Sequence, residues 1–220
     1  MRRGFDLARA RRELARSDPR LGAWMRRIGP IERDFSRPFD PLDALARSIL
    51  YQQLSGKAAA TITGRVEALM PRHGRLSAAG FAAIEDAALR TAGVSRQKIA
   101  ALRDLTAKSL DGVVPNARKL ATLDNETIIE QLTQVRGIGR WTVEMLLMSR
   151  LGRPDILPVD DLGIRKGAQR VLELDALPTP KALVAHGEAW APWRTLASFY
   201  LWRVVDFIEP AATPVRRSQD

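Results

Sequence analysis

The chain has 220 residues, enough for one sizeable core or two small lobes, and 35 lysines and arginines against 25 aspartates and glutamates leave a formal charge of +10. That excess suits a polyanionic partner, and a complete lack of cysteine excludes disulfides, thiolate zinc sites and iron–sulfur clusters together. No apolar run approaches transmembrane length, and the arginine-rich start lacks a signal-peptide core, so a soluble intracellular protein is expected.

Residues 1 to 37 are dense in arginine and carry a helical pattern through Leu7, Leu14, Leu21, Trp24 and Ile28. Asp18-Pro19 reads as a helix start, because proline at the first helical position gives up an N–H that would have no partner anyway. Gly29-Pro30 ends that helix, and Pro38 and Pro41 keep the following segment extended. Leu42 to Leu54 is an amphipathic helix on Leu42, Leu45 and Ile49. Ser55 reads as the N-cap of a second helix, Gly56 to Met70, so Gln52, Gln53, Leu54 and Ser55 fall in the bend between the two. Leu54 also reads as ordinary core.

Residues 75 to 94 read as a linker with short helical pieces. Ser95 then caps a helix, Arg96 to Leu110, with Ile99, Leu102 and Leu105 on its apolar face. Asp124 caps the next, which buries Ile128, Ile129 and Leu132. Val135-Arg136-Gly137-Ile138-Gly139 is a tight turn into a further helix, Arg140 to Leu151. Both glycines permit positive φ and leave no Cβ in the way of an approaching group. The amides of Gly139, Arg140 and Trp141 open that helix, where free N–H groups and the positive dipole end favour a phosphate. Trp141, Met145 and Met148 share one stripe by the i, i+4, i+7 rule, a pattern that core packing alone also produces.

After Pro158-Val159, Asp160 or Asp161 begins a helix holding Ile164, Ala168, Val171 and Leu172, with Asp160 the better candidate for its cap. Pro178-Thr179-Pro180 starts another, and Pro192 leads the last, Trp193 to about Ile208. Trp193 and Trp202 lie about half a turn out of phase on that helix, so both cannot face one pocket and Trp193 is assigned to the core. His73 and His186 are isolated and form no metal cluster. With no sustained β alternation and no repeat, the pattern is all-α.

Val135-x-Gly137-Ile138-Gly139-x-Trp141-Thr142, followed about twenty residues later by an aspartate opening a new helix, resembles the helix-hairpin-helix DNA glycosylase superfamily. Tyr51-Gln52-Gln53-Leu54-Ser55-Gly56-Lys57-Ala58-Ala59, with Trp193-Arg194 and Trp202, narrows the resemblance to the 3-methyladenine DNA glycosylase II branch. It implies two helical lobes with a DNA-binding cleft between them: residues 1–39 and 131–220 carrying the hairpin and catalytic aspartate, and 40–130 a central bundle. By family position Asp161 is the catalytic carboxylate. Trp141, Met145 and Trp202 line the base pocket, Met145 replacing an aromatic found in some relatives. Gln53, with Leu54 beside it, is the wedge that enters the duplex. Gly137, Gly139, Arg140 and Thr142 bind DNA phosphate, and the carbonyls of Thr133, Val135 and Gly137 could hold a monovalent cation, no cofactor being required.

In lyase members a lysine directly precedes the hairpin threonine. Trp141 stands there, so a monofunctional enzyme releasing alkylated bases from double-stranded DNA is expected, monomeric, cytoplasmic and nucleoid-associated. Two rivals stay open on sequence: a non-enzymatic helix-hairpin-helix DNA-binding protein, and a glycosylase for mismatched or oxidised bases.

Overall fold

The computed structural model describes residues 4–71 and 75–208. Every element among the described residues is helical. The described residues divide into two compact units, one built from residues 4–5 and Arg33–Ile156, the other from Asp6–Glu32 and residues 157–208.

In the first unit, α3 (Pro41–Tyr51), α4 (Gly56–Ala68), α5 (Ala78–Ala83), α6 (Asp86–Thr91), α7 (Arg96–Leu110), α8 (Ala117–Leu120), α9 (Asn125–Leu132) and α10 (Arg140–Leu146) follow in order. A π turn, Leu147–Leu151, continues α10. Helix α7 lies at the centre, packing on α3 and α5, while α10 packs on α9 and α3. Leu45, Ile49, Leu50, Phe81, Leu89, Leu102 and Leu105 are fully buried there. The expected caps form: Ser55 accepts from Ala58 N–H, Ser95 from Lys98 N–H and Asp124 from Thr127 N–H. Gly152, at φ +63°, ends the π turn where a Cβ would stand 2.6 Å from the Gly4 Cα. That contact, with stacking of Phe5 on Phe35, holds Gly4 and Phe5 to this unit.

Some boundaries differ from expectation. The hairpin, expected with the terminal lobe from residue 131, belongs to the first unit through its packing on α3 and on α7. Helix α3 stops at Tyr51 rather than Leu54, because Gln52 turns to ψ 134° and Gln53 to φ +55°, neither of which a right-handed helix can accommodate.

The second unit is formed by α1 (Leu7–Ser17), α2 (Pro19–Ile28), α11 (Leu162–Leu172), α12 (Pro180–Gly187) and α13 (Arg194–Asp206). Asp18 accepts from the Arg20 and Leu21 amides at the start of α2, and its second oxygen accepts from the buried Trp190 indole at 2.8 Å. Tyr200 donates to the Gly29 carbonyl at 2.9 Å, tying α13 to the end of α2. Helices α11 and α13 make the largest contact, and Gly167 permits it: a Cβ there would fall 2.2 Å from the Leu201 carbonyl oxygen. Trp193 precedes α13 rather than beginning it. It is half-buried instead of sitting in the core, and its indole N–H donates to Glu13 at 2.6 Å.

Candidate active site

In the hairpin of the first unit, Ile138 is buried and plugs the space between the helices. Only Gly137 uses the freedom expected of both glycines, at φ +78°. Gly139 caps α10 at φ −96°, and a Cβ there would meet nothing within 4 Å. The fold therefore does not require glycine at 139, and no side chain caps the first amides of α10.

The turn is pinned from two sides. Arg136 N–H donates to the Asp104 carboxylate of α7 at 2.7 Å, and the Gln52 side-chain amide donates to the Gly137 carbonyl at 2.8 Å. Burial pushes the Asp104 pKa up, but the Arg136 amide and the Lys108 ammonium more than offset it and hold the carboxyl below its usual value. Nothing in the local sequence pattern around either partner signals the Gln52 contact.

The expected phosphate ligands fare unequally. Gly137 and Gly139 are exposed. Arg140 is exposed too, but its guanidinium pairs with Glu126 at 2.7 and 3.0 Å and with Glu144 at 3.1 Å. The bond to Glu126 raises the Arg140 pKa and lowers that of its partner. Thr142 is only 7% exposed. The Val135 carbonyl accepts from Ile138 N–H at 3.0 Å, the Thr133 hydroxyl donates to the Ile129 carbonyl, and the Gly137 carbonyl accepts from Gln52. Among the described residues no His, Cys, Asp and Glu cluster could hold a metal. His73 lies outside those residues, and His186 is half-buried.

The stripe on α10 divides along its length. Met148 is fully buried, Met145 is half-buried and Trp141 is 49% exposed, so Trp141 presents ring surface that core packing does not use. Met145 lines a cavity of about 350 Å³ with Ser48, Tyr51, Ser149 and Arg150. In the adjoining bend Gln53 and Leu54 are both exposed, Leu54 at 40%, which removes the core alternative for Leu54.

In the second unit the expected division of labour between the paired aspartates reverses. Asp161, not Asp160, caps α11: its Oδ1 accepts from Ile164 N–H at 2.8 Å, while Asp160 is exposed. The turn made by Asp161 N–H on the Pro158 carbonyl sets this register. The same Oδ1 accepts from the Trp202 indole N–H at 3.0 Å. Trp202 therefore meets Asp161 through its edge, with the ring half-buried beside Phe199 at 6.1 Å between centroids. Gly163 makes room for this approach, since a Cβ there would stand 2.9 Å from Trp202 Cδ1 and 3.1 Å from Asp161 Oδ1. Asp161 is half-buried, not sealed in the apolar interior.

A helix-hairpin-helix turn followed by a carboxylate held at a helix start defines a class of DNA repair protein. The model of the HhH-GPD superfamily of base excision DNA repair proteins matches residues 46–192, and the chain belongs to that family. It is 36% identical over 174 residues to DNA-3-methyladenine glycosylase 1 of Schizosaccharomyces pombe, covering 78% of this chain and 76% of that protein. Among solved structures it is similar to the S. pombe 3-methyladenine DNA glycosylase Mag1 in complex with abasic DNA, with a TM-score of 0.80, 33% identity and coverage of 90% of this chain and 97% of that one. A DNA-3-methyladenine glycosidase from Bacillus halodurans gives a TM-score of 0.79 at 36% identity, covering 87% of each chain.

Proposed function

We propose that this protein hydrolyses the N-glycosidic bond of alkylated purines such as 3-methyladenine in double-stranded DNA and leaves an abasic site with both strands intact. The observation that carries the reading is the Asp161 carboxylate, held at the start of α11 by Ile164 N–H and the Trp202 indole. A target base must leave the stack before its glycosidic bond can be reached. As the C1′–N bond breaks, its electron pair leaves with the base and positive charge grows on the sugar. Water then bonds to C1′ and gives up a proton to solvent. A fixed carboxylate favours the charged sugar: at about 4 Å and an effective dielectric of about 20, two unit charges gain about 4 kcal/mol. Alkylated purines already carry positive charge, so their departure needs no strong general acid.

The exposed Trp141 ring offers a stacking face for a cationic base, with Met145 beside it, an attraction of about 0.5–2 kcal/mol. Gly137, Gly139 and the first amides of α10 would anchor a phosphate. The carbonyls of Thr133, Val135 and Gly137 would hold a monovalent cation, which would add positive charge there, Val135 and Gly137 through the lone pair that Ile138 N–H and the Gln52 amide leave on each. Gln53 and Leu54 would enter the duplex where the base is lost. With Trp141 where lyase members carry lysine, no Schiff base forms at that position. No described helix is long and apolar enough to cross a membrane. The protein would act as a monomer on nucleoid DNA.

Methylated genomic DNA incubated with the purified protein should yield free 3-methyladenine, while borohydride should trap no enzyme on the DNA. Absence of any released base would return the reading to a non-enzymatic DNA-binding protein. Release confined to oxidised or mismatched bases would favour the other rival.

A further inference from the structure

Gln53 holds φ +55°, a conformation uncommon for a residue with a Cβ, so its neighbours must fix the loop that presents it. Two side-chain contacts do so. Lys98 of α7 donates to the Leu50 carbonyl at 2.7 Å in the last turn of α3, and the Gln52 amide crosses 85 residues of sequence to the Gly137 carbonyl at 2.8 Å. Gly137 itself stands on α7, where a Cβ would touch Ala101 at 3.4 Å, and Asp104, one turn along α7, takes the neighbouring Arg136 N–H at 2.7 Å. Helix α7 is thus a common base for the Gln53 loop and the hairpin, and the Gln52 amide closes the bridge between them on the exposed side.

From this closed circuit we infer that Gln52 is a positioning residue, setting the spacing between the side chain that enters the duplex and the turn that grips its backbone. The inference rests on the glycosylase reading above. Both elements must engage one DNA molecule in register, and a displacement of about 1 Å in such an arrangement costs up to about a hundredfold in rate. Either element alone could bind DNA without Gln52. Only their joint action needs it.

The test uses Gln52→Ala and the near-isosteric Gln52→Glu, which keeps the shape but sets a carboxylate, unable to donate, against the Gly137 carbonyl. A duplex carrying 2-aminopurine beside an abasic analogue reports insertion by a rise in fluorescence on binding, with no chemistry involved. The full-length wild-type protein should give that rise. Both variants should lose most of it, and should release 3-methyladenine about tenfold or more slowly in single turnover. Affinity for undamaged duplex should stay within about twofold and thermal stability should be nearly unchanged. Because Gln52 acts through Gln53, the Gln52→Ala, Gln53→Ala pair should be no slower than the slower single variant.

Wild-type fluorescence and release in Gln52→Glu, or rate losses that multiply in the double variant, would overturn the inference. A wild-type protein that raises the fluorescence but releases no base would refute the glycosylase reading and leave the fluorescence comparison to decide on Gln52. A wild-type protein that leaves the fluorescence unchanged would overturn the positioning role itself.

Discussion

Replacing Gly163 by alanine should cost activity while leaving the fold intact. The added Cβ would stand 2.9 Å from Trp202 Cδ1 where ordinary contact begins at 3.4 Å, so the indole must retreat by about 0.5 Å. Its N–H now lies 3.0 Å from Asp161 Oδ1, and the retreat stretches that distance to the limit of a hydrogen bond. Without the indole the carboxylate is no longer held in place, and a misplacement on the order of 1 Å costs up to about a hundredfold, so a rate about 10- to 100-fold lower is expected. The backbone effect runs the other way, since alanine in a helix is favoured over glycine by up to about 1 kcal/mol. The melting temperature should therefore stay within a few degrees of wild type. Single-turnover release of 3-methyladenine from a duplex with one lesion is the assay. Trp202→Phe, which keeps an aromatic ring but removes the donor, should show a similar loss, and the double variant little more than either. A wild-type rate in Gly163→Ala, or a rate loss that tracks a collapse in stability, would refute the argument.

Gly139→Ala should fold as stably as wild type, because the position has open space and ordinary φ, yet bind duplex about tenfold more weakly if the backbone approaches a phosphate there; fluorescence anisotropy titrations test this. Arg140→Ala should leave the slope of log affinity against log salt nearly unchanged, because Glu126 and Glu144 already hold the guanidinium, whereas a direct phosphate contact would lower the slope by about one. Asp104 has a depressed folded pKa, so its stabilisation is complete above the ordinary carboxylate value of 3.8 and is lost as pH falls through the depressed one. Urea unfolding should accordingly show Asp104→Asn less stable than wild type at pH 7, with the difference closing towards pH 3.

What could be read in advance was local. The caps at Ser55, Ser95 and Asp124 act within three residues, and each forms as its sequence pattern requires. The tight turn through Gly137 and the carboxylate opening α11 are likewise properties of short stretches. Contacts that span the chain were not legible: Gln52 with Gly137, Asp161 with Trp202 and Arg140 with Glu126 each depend on packing that no period in the sequence encodes. Choosing Asp160 as the cap failed because a single turn on the Pro158 carbonyl shifts the helix start by one residue. Glycines mislead in the same way. Gly163 and Gly167 look like weak points in α11, yet each is the gap that admits α13.

Asp161→Asn separates a carboxylate that does chemistry from one that only caps a helix. Asparagine is as good an N-cap as aspartate and can still accept from Ile164 N–H and the Trp202 indole, so the fold and DNA affinity should survive. Single-turnover release of 3-methyladenine should fall by about a thousandfold, with binding to the same lesion duplex unchanged within about threefold. Release by Asp161→Asn at the wild-type rate would show that the Asp161 charge takes no part in breaking the glycosidic bond.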